Sequence, residues 1–174
     1  MYPITQGYSE VCSRLDTLQD NGHQAESMLA STFVFEKTAK RIVRFGLINR
    51  GFTTKHCDAI FGRGGFEHIK TLYDIFDRDH KTLQTIVTEA HWSQAKEAIT
   101  WRNKIVHGER VYPLEECAAK VPHIRAAIDN LRDDAIARLS CDPWSRFPTA
   151  TKSKLIWLNI PQPSPTSPSS PITD

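Results

Sequence analysis

One helix-length stretch of this chain holds residue types suited to chemistry on an anion. In Arg102-Asn103-Lys104-Ile105-Val106-His107-Gly108, the guanidinium offers a planar fork of donors that matches a phosphate or carboxylate. The imidazole can take or give a proton near neutral pH. At about 100° per residue, Trp92, Ala95, Ile99 and Val106 define an apolar face, widened by Ala98 and Ile105. Arg102 falls in the middle of that face and Asn103 at its edge. His107 lies roughly 140° round from Arg102 and about 7.5 Å further along the axis. A guanidinium on a packing face is costly unless charged partners and hydrogen bonds compensate it. Arg102 therefore calls for a partner: an acid such as Glu36, a subunit interface or a bound anion. The same spacing also suits a purely structural ion pair, with His107 closing the helix before Gly108.

The elements that must position these residues read as helices. From Thr5 to Leu139 the pattern is helical, broken by short polar or glycine-containing stretches, with few strand-like alternations. A first helix is predicted over Thr5–Leu18, stopped by Asp20-Asn21-Gly22. A second spans Gln24–Asn49 and closes at Gly51. Shorter helices follow at Thr54–Ile60, Gly65–Phe76 and Lys81–Thr88, then His91–His107. Pro113 opens the next stretch, and Pro122 is expected to kink or restart it. Beyond it Ile124, Ile128, Leu131, Ala135 and Leu139 form an amphipathic stripe. The expected fold class is all-α, with one helical domain over 1–145. Residues 146–160, with the run Leu155-Ile156-Trp157-Leu158, are expected to pack on the domain as an extension. Residues 161–174 are Pro- and Ser-rich and read as a disordered tail.

Charge is distributed unevenly. The 174 residues carry a net charge of only +2, too little to identify a partner by itself. Between Lys37 and Lys70, however, eight Lys or Arg face two acids, a local +6, which leaves −4 for the remainder. On the second helix Lys37, Lys40, Arg41 and Arg44 gather opposite the apolar Phe35, Ala39, Ile42, Val43 and Gly46. Such a stripe can meet a polyanion by phosphate contact and counterion release, or it can be a solvated face. Arg63, between glycines, extends the basic set. Its surroundings lack the strand and Gly-Lys-Ser/Thr ending of a P-loop and read as a helix–helix turn. Cys12, Cys57, Cys117 and Cys141 are scattered, with neither zinc-ligand spacing nor a disulfide framework. No metal and no cofactor are expected. No apolar run approaches the roughly 20 residues of a membrane span, and the N-terminus lacks a secretory pattern. A cytoplasmic location is the expectation.

The seven-residue stretch Arg102–Gly108 resembles the R-x-x-x-x-H signature of the HEPN superfamily, including the Asn that often follows its Arg. The all-α layout over roughly residues 5–140, with the motif on a late helix, is similar too. The subgroup paired with a nucleotidyltransferase antitoxin continues H-x-Y. Here that position is Glu109, and the nearest tyrosine is Tyr112. The resemblance implies a HEPN-like helical bundle and a homodimer whose two motifs face one cleft. It implies a metal-independent endoribonuclease for single-stranded RNA, a toxin or an antiviral defence effector, with an antitoxin or defence-system partner. In that chemistry the RNA 2′-hydroxyl attacks its own phosphate, His107 takes the proton, and Arg102 holds the phosphate and its developing charge. Asn103 would assist the phosphate or hold the His, and Glu36 would hold Arg102. Lys37, Lys40, Arg41, Arg44 and Arg63 would bind RNA. The competing class is a non-catalytic HEPN module that dimerises or holds RNA.

Overall fold

Local punctuation sets most helix limits. The computed structural model describes residues 7–62, 64–77, 79 and 81–145. Among these, every regular element is an α-helix: α1 Tyr8–Asp20, α2 Gln24–Asn49, α3 Thr54–Phe61, α4 Phe66–Phe76, α5 Leu83–Val87, α6 Glu89–Val106 and α7 Leu114–Leu139. The chain is all-α over its described residues. α1 stops where Gly22 takes a φ of +77°, and α2 runs over the limits read from the sequence. At the start of α3, Thr53 accepts from the His56 backbone N–H at 3.1 Å, which satisfies one of the helix's orphan donors.

α2 and α7, 26 residues each and so about 39 Å long, pack on one another as the spine. α1, α3, α4 and α6 pack against α2; α5 and α6 pack against α7. Phe35, Ala39, Ile42 and Leu47 of α2 meet Val121, Ile124, Ile128 and Leu131 of α7 in one buried cluster. Each such large side chain contributes about 1.5–3 kcal/mol on burial. With neighbours on several sides, α2 also buries Thr32 and Thr38. Their hydroxyls donate to carbonyls one turn back, Met28 and Val34, both at 2.8 Å, so neither hydroxyl is stranded.

Several details differ from the sequence reading. Pro122 does not restart a helix, because α7 is continuous from Leu114 to Leu139. The proline is exposed, so its ring and missing N–H face solvent while Val121 and Ile124 stay packed on α2. Burial of the stripe outweighs one lost hydrogen bond. α5 is shorter than expected, and α6 starts earlier, at Glu89. They are joined through Thr88, whose φ of +70° makes the corner. α6 ends at Val106, and its buried face ends sooner: Trp92, Ala95, Ala98 and Ile99 are buried, Ile105 is half-buried, and Val106 is 64 % exposed. Arg102 therefore stands where the packing face gives way to solvent, not within it.

After α7 the chain doubles back. The Trp144 indole N–H donates to Thr38 Oγ1 at 3.1 Å, its ring lies 6.0 Å from that of Tyr8, and Asp142 pairs with Arg132 at 3.1 Å. The expected extension and tail fall on residues 146–174, outside the described residues. No helix among the described residues is long and apolar enough to cross a membrane.

Candidate functional site

The end of α6 is fixed by its own backbone. Gly108 takes a φ of +69°, its N–H reaches the Ile105 carbonyl at 3.0 Å, and the Glu109 N–H reaches the Lys104 carbonyl at 2.8 Å. This is the paired closure that a glycine just past a helix end makes possible. It holds His107, the terminal residue, whose N–H donates to the Asn103 carbonyl at 3.0 Å. The His107 ring is exposed and makes no hydrogen bond or ion pair with any described residue.

Arg102 leans toward α2. Its Nη2 donates to Glu36 Oε2, closing a short ion pair between α6 and α2. Its Nη1 donates to Asn103 Oδ1 at 2.8 Å. A guanidinium has five N–H donors, so three make no hydrogen bond to a described residue, and 27 % of the Arg102 side chain is exposed. Glu36 is the more enclosed partner, at 15 %. Burial pushes its carboxyl above the ordinary value, and the charge and hydrogen bond of Arg102 offset this only in part. Arg102, Asn103 and Glu36 thus meet where α6 crosses α2. His107 instead stands five residues on from Arg102 at the exposed end of α6, about 140° round the helix, with no contact that joins it to the other three side chains.

The basic stripe is differently placed. Lys37 sits 5.0 Å from the Trp144 ring centre and Lys40 4.9 Å from that of Phe61. Arg41 donates to the carbonyls of Pro143 and Ser145, and Arg44 pairs with Asp58 at 3.0 Å. All four lie in contacts with α3 and the 141–145 turn. Neither of the two faces read from the wheel, polyanion-binding or solvated, included this third use, the packing of later chain. Arg63 lies outside the described residues.

Sequence reasoning missed the seam on the other side of α6. Trp101 and Tyr112 stack with ring centres 4.0 Å apart and planes 7° from parallel. Lys120 lies 4.2 Å from the Trp101 ring and is held by Glu97 at 2.7 Å and Gln94 at 3.1 Å. This stack ties the 107–113 loop to α6, and Lys120 carries the tie on to α7. No periodicity links Trp101 to Tyr112, so only their aromatic type could have hinted at it. Beside the loop, a shallow groove is lined by Ala25, Ile105, Val111, Tyr112 and Leu114, of which Val111 and Leu114 are exposed. Among the described residues, no group of three or more His, Cys, Asp or Glu could hold a metal ion. Comparisons with protein-family models, curated proteins and solved structures find no match for this chain.

Proposed function

We propose that this protein is a HEPN-like, metal-independent endoribonuclease that cuts single-stranded RNA as a homodimer. The observation that carries this reading is at the α2–α6 crossing: Arg102 is held by Glu36 and Asn103 and stays partly exposed, with the exposed imidazole of His107 five residues further along the same helix. RNA brings its own nucleophile. As the O2′–P bond forms, His107 takes the 2′-hydroxyl proton; as the P–O5′ bond breaks, a second imidazole returns a proton to the leaving oxygen. The products are a 2′,3′-cyclic phosphate and a 5′-hydroxyl. Arg102 grips the non-bridging oxygens, where negative charge develops. Among the described residues, the end of α6 carries one imidazole, His107, so the acid is assigned to a second copy. The exposed Phe33, one turn before Glu36, and Val106 give that copy an apolar seat. A toxin or antiviral role in the cytoplasm, with an antitoxin or defence-system partner, extends the same proposal.

The non-catalytic alternative draws on the same ion pair, since Arg102 is already satisfied enough to be structural. One experiment separates the two. Purified protein is expected to cleave single-stranded RNA in excess EDTA and to spare DNA, and light scattering should give twice the chain mass. His107→Ala should lower the cleavage rate by about 10²- to 10⁴-fold with unchanged helix content. Equal trace activity in wild type and variant would leave the non-catalytic module as the better reading. Loss of cleavage in EDTA would refute metal independence.

A further inference from the structure

We infer that the Arg102–Glu36 pair is a proton-coupled anion site: a phosphodiester binding to the open edge of Arg102 enters together with one proton, which Glu36 takes. The inference rests on the reading that Arg102 receives a phosphodiester, and it adds how that binding is regulated.

The Glu36 carboxylate has few partners. It keeps only 15 % of its side-chain surface exposed, and its ion pair is with Arg102. Lys40, one turn along α2, is turned over Phe61, and Lys37 over Trp144. On α6, His107 is exposed past the helix end, and Lys104, two positions after Arg102, lies roughly 200° round the helix from it. Among the described residues, Arg102 is the charged side chain that acts on the Glu36 carboxyl.

An anion arriving at the three remaining donors changes this balance twice. It competes for the guanidinium, and it sets a negative charge within one side chain's width of the carboxylate. Both effects favour the neutral acid. A carboxylate left buried without its cation is costly, whereas a protonated Glu36 can stay in place and donate a hydrogen bond. Burial already pushes the Glu36 carboxyl in this direction, above its ordinary value even with Arg102 attached. The bound state therefore holds more protons than the free state. Affinity falls as pH rises, by up to about tenfold per pH unit for one linked proton.

The test uses the full chain and a 2′-O-methyl RNA oligonucleotide, whose phosphodiesters keep their charge across the range and which has no 2′-hydroxyl to react. Calorimetric titration in buffers of different ionisation enthalpy counts the protons taken up. Wild type and His107→Ala should take up close to one proton per site above the ordinary carboxylate range, with affinity weakening as pH rises. Glu36→Gln should take up none and bind with little pH dependence. If the amide disturbs folding, Glu36→Met, of similar length, serves in its place. Binding without uptake, or uptake that survives in the Glu36 variants, overturns the inference and leaves the nuclease reading standing. Coupled uptake without cleavage of unmodified RNA supports the inference and removes the nuclease. No binding at any pH overturns both.

Discussion

Arg102 and Arg138 are both partly enclosed arginines on core-packed helices, and they are held in opposite ways. Arg138, in the last turn of α7, makes five hydrogen bonds: Nε and Nη2 to Asp134 at 2.8 and 2.5 Å, Nη2 and Nη1 to Asp77 at 2.9 and 3.4 Å, and Nη1 to Asp79 at 2.7 Å. That matches the full donor complement of a guanidinium. Asp77 is in turn capped by the backbone N–H groups of Asp79 and Lys81, at 3.0 and 2.9 Å. Nothing is left over for a ligand. Arg102 uses two donors on described residues and keeps 27 % of its side chain exposed. A saturated arginine fastens α7 to the loop after α4; an unsaturated one, fixed by a single carboxylate, can still bind something.

The largest effect should come from removing the two arginines in turn. Arg138→Ala strands Asp77, whose side chain is 1 % exposed, and is expected to cost about 3–5 kcal/mol in denaturant unfolding. Arg102→Ala should cost less, on the order of 1–2 kcal/mol, because Glu36 can take a proton once its partner is gone. Equal losses would erase the distinction between the two sites.

The pH dependence should differ in sign. Burial alone would raise the Asp77 carboxyl, but hydrogen bonds from Arg138 and from the Lys81 and Asp79 backbones outweigh it and hold it below the ordinary value. Its stabilisation is therefore present above an unfolded value of about 3.9 and lost as pH falls through the lower folded value. Glu36, raised by burial, contributes in the opposite sense. Its stabilisation is present below about 4.3 and lost as pH rises through its folded value. Urea midpoints followed over pH should show a flattened acid limb in Asp77→Asn. Glu36→Gln should gain relative stability toward neutral pH. A Glu36→Gln protein that loses most at neutral pH would mean that the ionised carboxylate is net stabilising, with Arg102 outweighing burial.

The smallest effect concerns the loop that carries His107. Gly108 needs its positive φ, while an added Cβ would meet nothing within 4 Å. Gly108→Ala should therefore cost only the backbone strain, about 1 kcal/mol, read as a lowered unfolding midpoint. No change at all would show that the paired closure after α6 is not kept in solution, and with it the fixed position of the imidazole.

Several helix limits, though not those of α5 and α6, and the local spacing within the site were legible in the residues alone. Glycines at 22, 51 and 108 mark chain reversals that side chains of other residues resist, and the stripe from Ile124 to Ala135 had a single packing face to bury. The spacing of Arg102, Asn103 and His107 is equally local, because a helix places residues one and five apart by its own geometry. What lies across 66 residues, as between Arg102 and Glu36, is not local. The wheel could only nominate Glu36 from its border position on the second helix, and only the crossing of α2 and α6 decides that it meets Arg102. The basic stripe shows the same limit: a wheel shows which charges share a side, but not that Trp144, Phe61 and Asp58 will occupy that side. Pro122 shows its converse, since a local breaker is overruled when packing on both flanks outweighs one missing hydrogen bond. Helix limits follow from short-range sterics and hydrogen bonding, whereas pairings follow from which buried faces the whole chain brings together.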